Sequence, residues 1–124
     1  MGESPFQNQG NFPMADASDY ESNIRRYVEI YNKAAAERIV GRLGIALRNR
    51  DSASVACSDA GELDRVREKW LRGKLGLAHK QPELDAAITA VCERMKQDGS
   101  NKCRVTFYYL LAEHFEKLDE LATH

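Results

Sequence analysis

The fold of this chain is decided by residues 102–121, whose sequence is KCRVTFYYLLAEHFEKLDEL. Within this stretch Phe107, Leu111 and Leu118 recur at the spacing of one helical face, and Tyr108 widens the apolar stripe. An apolar face this wide must contact neighbours on more than one side. We therefore expect residues 102–121 to form the long central helix of a helical bundle.

The composition supports the same fold class. The chain has 124 residues, of which 43% are hydrophobic and 30% are charged. These values are typical of a single globular domain, and a body rich in Ala, Leu, Glu, Lys and Arg favours helix over strand. We predict an all-α fold: a compact irregular or orthogonal bundle of about five long helices plus one or two short ones. The domain is expected to span residues 18–124.

The segments before the central helix carry weaker signals. Residues 1–17 lack a sustained apolar period and are predicted to be a flexible tail, after which Ser18 is the expected helix cap. Residues 51–57 are predicted to form a helical turn or short helix. Apolar periods and end signals predict four further helices, over about residues 19–31, 33–43, 62–74 and from 82 to shortly before 99.

Two segments repeat one helix-ending pattern. Residues 41–47 read GRLGIAL and residues 73–79 read GKLGLAH. In both, a helix is followed by Leu, Gly and another apolar residue, which is the order of a helix that ends at a left-handed glycine. We expect Gly44 to end one helix, with a separate short helix over residues 45–49. The second copy is expected to match this geometry.

The three cysteines, Cys57, Cys92 and Cys103, are odd in number and show no paired spacing. The sequence also shows no signal-peptide core and no apolar run of membrane-spanning length. We interpret all three as reduced thiols of a cytoplasmic protein. Cys103 is expected at the start of the last helix, where the helix dipole favours a thiolate, so its reactivity is left open.

The middle of the chain is basic. Residues 33–80 carry a net charge of +5, whereas the segments before and after them carry −3 each. Such a segment attracts anionic partners or docks against acidic surface of its own or another chain. The cations predicted to form an anion-binding patch are Arg48, Arg50, Arg65, Lys69 and Arg72. Interleaved acids favour a solvated, ion-paired face as the simpler alternative.

Known enzyme motifs are lacking. The sequence has no His-Glu-x-x-His, Cys-x-x-Cys, Gly-x-Ser-x-Gly or phosphate-loop pattern. His114 falls on the apolar stripe of the last helix without a second histidine one turn away. A hydrogen-bonded core or boundary histidine is therefore expected rather than a metal ligand. We predict a protein that is not an enzyme, with no catalytic residue, cofactor or metal.

Four segments carry a family resemblance: LGIALR at 43–48, ELDRVR at 62–67, KLGL at 74–77 and RVTFYYLLAE at 104–113. Together they resemble a small bacterial family, best represented in alphaproteobacteria, that is a domain of unknown function. The resemblance covers about residues 19–121, and the RVTFYYLL run is its most specific part. It implies an all-helical fold and a bacterial cytosolic origin. It implies no activity and no site residues, because none is assigned to the family.

Two functions remain open at this stage. We predict a small helical protein-interaction or self-association module of the bacterial cytosol, with a protein partner or a second copy of the chain. Tyr109 is its candidate interface residue, because it is expected beside Glu113 and Glu116 on the polar strip of the last helix. The alternative is an anion or nucleic-acid binder that uses residues 33–80. No membrane partner is expected.

Overall fold

The computed structural model describes residues 20–48, 52–99 and 101–123. Six α-helices lie in these ranges: Glu21–Arg25 (α1), Lys33–Leu43 (α2), Ala60–Arg65 (α3), Gln81–Arg94 (α4), Arg104–His114 (α5) and Leu118–Ala122 (α6). Two 3₁₀ turns cover Gly44–Arg48 and Lys96–Asp98, and α3 continues directly as a π-helical segment, Val66–Lys74. Two short strands, Ser54–Ala56 (β1) and Asn101–Cys103 (β2), pair antiparallel. The predicted all-α fold is confirmed, with this small ladder as an addition.

Helix α5 is the centre of the core. All residues from Arg104 to Ala112 are buried, because α5 contacts α1, α2, α4, α6 and both strands. The prediction that Tyr109 lies on a polar strip is therefore wrong. Its side chain is 0% exposed, and its hydroxyl oxygen accepts a hydrogen bond of 2.9 Å from the backbone N–H of Asn32. Tyr109 is a core residue, and the structure removes the basis for its interface role.

The predicted central helix is shorter than residues 102–121. Its first residues belong to β2, and α5 ends at His114. The break follows from the backbone of Glu116, which has a φ of 59°, and from a hydrogen bond of 2.7 Å that the N–H of Lys117 donates to the carbonyl oxygen of Ala112. His114, expected at the core or its boundary, is exposed and contacts the ring of Phe115 edge-on.

Residues 54–56 form the strand β1 between two turns, at 52–53 and 57–58, rather than the predicted helical turn or short helix. Val55 is 0% exposed and pairs with Lys102 across the ladder, while Ser54 pairs with Cys103. Ser-Ala-Ser-Val-Ala alternates one large apolar side chain with small ones, which suits a short strand with one face in the core. Residue 51, the first of the predicted turn, lies outside the described residues.

The first predicted helix is also shorter than expected. It is reduced to α1, and Asn32, just past its predicted end, caps α2. The side-chain oxygen of Asn32 accepts a hydrogen bond of 3.0 Å from the N–H of Ala35, and Asn32 has extended backbone angles. Ser18 and the predicted tail, residues 1–17, lie outside the described residues.

The two glycine-ended helices are confirmed. Gly44 ends α2 with a φ of 45°, and Gly76 follows the π-helical segment with a φ of 67°. The expected short helix after Gly44 is the 3₁₀ turn Gly44–Arg48. The apolar contact beyond the glycine forms in the second copy, where Leu77 is buried, but not in the first, where Ile45 is 76% exposed.

A disulfide joins Cys57, just after β1, to Cys92 in α4. The prediction that all three cysteines are reduced thiols is wrong for this pair. The two residues are 35 positions apart in sequence, and they meet because α4 packs beside the segment that follows β1. Cys103 is free and half-buried. Among the described helices, none is long and apolar enough to span a bilayer.

Reduction of the disulfide is expected to destabilise the fold. A cross-link that closes a loop of this size limits the unfolded chain and contributes roughly 2–4 kcal/mol to the free energy of unfolding. The double variant Cys57→Ser/Cys92→Ser is expected to lose this amount in urea denaturation. Cys103→Ser is the matched control, and its free energy of unfolding is expected to fall on addition of reductant as that of the wild type does. Equal urea midpoints for wild type with and without reductant would contradict the prediction.

A polar cluster fastens α1 to the turn after α4. Asn23 donates a hydrogen bond of 3.0 Å to the carboxylate of Asp98, and Arg26 donates one of 3.2 Å to the other oxygen. Thr106 of α5 donates to the side-chain oxygen of Asn23. Burial alone raises the pKa of Asp98, but the hydrogen bond from Asn23 and the charge of Arg26 outweigh it and lower this pKa.

This cluster predicts acid sensitivity. Because the pKa of Asp98 is lower in the folded chain, its contribution is fully present above the unfolded value of about 3.9 and is lost as the pH falls further. Asp98→Asn is expected to lower the free energy of unfolding by roughly 1–2 kcal/mol at pH 7 and by less at pH 3. Urea denaturation at both pH values measures this. The exposed Glu93→Gln is the control, and an equal loss at both pH values for Asp98→Asn would refute the linkage.

Candidate functional site

A cavity of about 490 Å³ lies between the end of α2, the helical segment 60–74 and the start of α5. Its lining is unusual in charge. Among the described residues, five cationic side chains and one carboxylate line it: Arg42, Arg65, Lys69, Lys74, Arg104 and Glu62. Leu43, Ala46, Ser52, Trp70 and Tyr108 complete the lining. The cavity therefore combines a positive charge excess with aromatic and aliphatic surface.

Asp59 and the π-helical segment position the side chains that form one side of the cavity. The carboxylate of Asp59 caps α3 by accepting a hydrogen bond of 3.1 Å from the N–H of Glu62. Beyond Arg65 the helix widens, and the N–H of Leu75 bonds to the carbonyl oxygen of Trp70, five residues earlier. Five residues make about one turn of a π-helix, so Lys69 and Lys74 lie on the same side and both reach the cavity.

The floor of the cavity is rigid and aromatic. Trp70 and Tyr108 stack with ring centroids 4.6 Å apart, and the indole N–H of Trp70 donates a hydrogen bond of 3.2 Å to the backbone carbonyl oxygen of Tyr108. Both side chains are more than nine-tenths buried. Leu43 and Ala46 contribute apolar surface from the end of α2 and the 3₁₀ turn that follows. These side chains give the cavity a fixed shape before any ligand enters.

Arg104 closes the inner end of the cavity in an ion pair. Its guanidinium lies 2.6 Å from the carboxylate of Glu62, and both side chains are largely buried. Arg104 also donates to the carbonyl oxygens of Ser52 and Ser54 and, at 3.0 Å, to the hydroxyl oxygen of Tyr108. Burial raises the pKa of Tyr108, so this hydroxyl stays protonated near neutral pH. At this inner end the charge of Arg104 is thus paired with Glu62, and four of its five guanidinium N–H donors are used.

The outer part of the cavity, lined by Arg42, Lys69 and Lys74, carries positive charge that no carboxylate of the described residues compensates. Within the described residues Arg42, Lys69 and Lys74 make no ion pair, whereas Arg65 pairs with Glu62 at 3.2 Å. The Nε atom of Arg42 is buried and has no hydrogen-bond partner in the described part of the chain. A buried donor without an acceptor costs about 1–3 kcal/mol. An anion in the cavity would supply the missing negative charge.

The structure brings together part of the predicted basic patch. Arg65 and Lys69 line the cavity, as the patch required. Arg72 instead lies 3.5 Å from Glu68 and does not line it, and Arg48 is exposed on the 3₁₀ turn outside it. Arg50 lies outside the described residues.

Sequence reasoning missed three of the lining cations: Arg42, Lys74 and Arg104. Arg42 could have been predicted from the sequence, since it belongs to the basic segment and stands just before the helix-ending Leu-Gly pair. Lys74 could not, because α-helical spacing places it away from Lys69. Arg104 reaches the cavity through the strand pairing that precedes α5, which the helical pattern gave no reason to expect.

No other chemical centre is evident in the described ranges. They hold no group of three or more His, Cys, Asp or Glu side chains placed to bind a metal ion. The exposed His114 contacts Phe115 rather than a carboxylate partner. The cavity is therefore the feature on which a functional argument can stand.

Comparison with known proteins gives a family. A family model described as a protein of unknown function (DUF2853) matches residues 19–119, a range that includes every residue named above as lining the cavity. A search of curated proteins found no significant match. The match covers most of the chain and agrees with the resemblance noted in the four sequence segments. The chain belongs to the DUF2853 family of proteins of unknown function.

Proposed function

We propose that this protein is a binding domain whose basic cavity takes up a small anionic molecule. One observation carries the proposal: Arg42, Lys69 and Lys74 line a single cavity and make no ion pair within the described residues. Cations that converge without counter-charges repel one another, and a bound anion relieves that repulsion.

The shape of the cavity favours a small molecule over a large anionic surface. Its volume of about 490 Å³ falls within the range of roughly 300–1,000 Å³ that is usual for ligand pockets. The aromatic floor of Trp70 and Tyr108 lies below the cations, so a ligand must enter the cavity to contact both. A flat polyanion resting on the surface contacts the outer lysines alone.

A non-enzymatic role is part of the proposal. Glu62, the one carboxylate in the described lining, is held by Arg65 at 3.2 Å and Arg104 at 2.6 Å. Two cationic partners occupy its oxygens, which makes it a poor general base. The cavity residues are therefore suited to holding an anion.

Protein interaction or self-association stays a prediction. Its candidate residue, Tyr109, lies in the core. The large apolar side chains that are strongly exposed in the described ranges, Ile30 at 86% and Ile45 at 76%, are single residues on different segments, and scattered exposed apolar residues are normal on a protein surface. We therefore place anion binding first.

The cytoplasmic location also stays a prediction. Disulfides are more typical of oxidising compartments, so the pair Cys57–Cys92 weakens the argument that came from reduced thiols. Alkylation of thiols in intact cells, followed by counting of the modified cysteines, distinguishes a reduced from an oxidised pair.

Tryptophan fluorescence tests the proposed function directly. Trp70 is the single tryptophan of the chain and lies in the cavity floor, so its emission reports on the site. Titration with inorganic phosphate at low salt is expected to change this emission saturably, with a Kd of about 1 mM, and to weaken as salt is added. The double variant Lys69→Ala/Lys74→Ala is expected to bind at least about 10-fold more weakly.

Arg48→Ala is the matched control, because it removes an exposed cation outside the cavity. It is expected to leave the affinity for phosphate within about 2-fold of wild type. The proposal fails if phosphate leaves the emission unchanged, or if Arg48→Ala weakens binding as much as the lysine variant does.

A further inference from the structure

We infer that the ligand is a nucleoside monophosphate, with its phosphate at the three unpaired cations and its uncharged base against the aromatic floor. This inference rests on the proposed function and adds the chemical class of the ligand. It is carried by the division of the cavity into a cationic outer part and a neutral inner part, each of which selects one end of the molecule.

The outer part selects the anionic group. Arg42, Lys69 and Lys74 present three cationic side chains without counter-charges in the described structure. A phosphate monoester carries about −1.5 to −2 charges at pH 7 and three strong acceptor oxygens, which match three cationic donors. A single carboxylate supplies one charge and two oxygens, and therefore leaves more than half of the excess uncompensated.

The inner part selects an uncharged group. Arg104 and Glu62 neutralise each other at 2.6 Å, and Arg104 donates its remaining hydrogen bonds to Ser52, Ser54 and Tyr108. A second anionic group placed here would be repelled by the carboxylate of Glu62. The ligand thus carries its charge at one end, which disfavours dicarboxylates and bisphosphates.

The walls of the inner part suit a planar ring. The stacked pair Trp70 and Tyr108 forms one side, and Leu43 and Ala46 supply aliphatic surface. The hydroxyl oxygen of Tyr108 accepts from Arg104, which leaves its own proton for an acceptor on the ligand. Nucleobases are flat and uncharged and carry ring-nitrogen or carbonyl acceptors at their edges, so they meet these requirements together.

A single nucleotide fits better than a nucleic-acid strand. Beyond Arg42 and Lys74 the surface continues into two further pockets, one lined by Lys117 and Glu120 and the other by Glu37 and Arg38. Lys117 is paired with Glu120 at 3.1 Å, so these carboxylates interrupt the positive surface. A strand needs a continuous cationic track for successive phosphates. Beyond the cavity the described residues alternate cations and carboxylates, and do not form such a track.

Four small probes and one strand test the ligand class by Trp70 fluorescence and calorimetry: AMP, adenosine, ribose 5-phosphate, inorganic phosphate and a single-stranded DNA of ten adenines. AMP is expected to bind at least about 10-fold more tightly than ribose 5-phosphate and inorganic phosphate, because the base buries apolar surface against the inner lining of the cavity. Adenosine is expected to bind more than about 10-fold more weakly than AMP.

Two variants separate the base from the phosphate. Ala46→Phe fills the apolar side of the cavity and is expected to reduce AMP affinity about 10-fold while leaving inorganic phosphate binding unchanged. Tyr108→Phe removes the free hydroxyl proton and is expected to weaken AMP but not ribose 5-phosphate. Urea denaturation of both variants confirms that each is folded before its affinities are compared.

The outcomes are distinct. Equal affinities for AMP, ribose 5-phosphate and inorganic phosphate overturn the nucleotide inference and leave anion binding standing. Tighter binding of the DNA strand than of AMP overturns it in favour of a strand. If none of the anions binds at low salt, the proposed function itself fails. AMP selectivity that is lost in Ala46→Phe supports the inference.

Discussion

The buried guanidinium of Arg104 is the interaction on which the architecture of the site depends. It lies at the first residue of α5 and is held by the carboxylate of Glu62 and by carbonyl oxygens of Ser52 and Ser54. Three segments that are distant in sequence therefore converge on one side chain. A buried cation is tolerated in a core when it is paired and hydrogen-bonded, as Arg104 is here. Loss of Glu62 leaves that charge uncompensated beside the core.

The bundle could be predicted because its signals are local and periodic. The stripe of Phe107 and Leu111 identifies the most buried helix, and Gly44 ends α2 with the left-handed backbone that its surroundings imply. Tyr109 shows the limit of the same reasoning. Periodicity ranks the faces of a helix by how apolar they are. A helix that is contacted on all sides buries its least apolar face too, and the number of neighbouring elements cannot be read from the periodicity.

The site was only partly predictable, for a related reason. Arg65 and Lys69 belong to one helical face and were predicted from their spacing. The other sides of the cavity are formed by residues of α2 and α5, which that spacing does not identify. The disulfide between Cys57 and Cys92 is a contact of the same kind, since residues 35 apart in sequence carry no local sign of their proximity. Contacts between secondary-structure elements can be identified only once the packing of those elements is known, and neither the composition nor the periodicity of the sequence specifies that packing.

The π-helical segment links the number of residues in this helix to the side toward which its cations point. An α-helix advances about 100° per residue, so a helix that contains one residue more than its turns require must absorb it by widening locally. Residues 66–74 do this between α3 and Leu75, where both ends are held by core contacts. Deletion of one residue from this interval is expected to keep the bundle and its hydrophobic core, and to turn Lys69 and its neighbours toward a different side. The nine positions of this segment therefore determine which cations face the cavity.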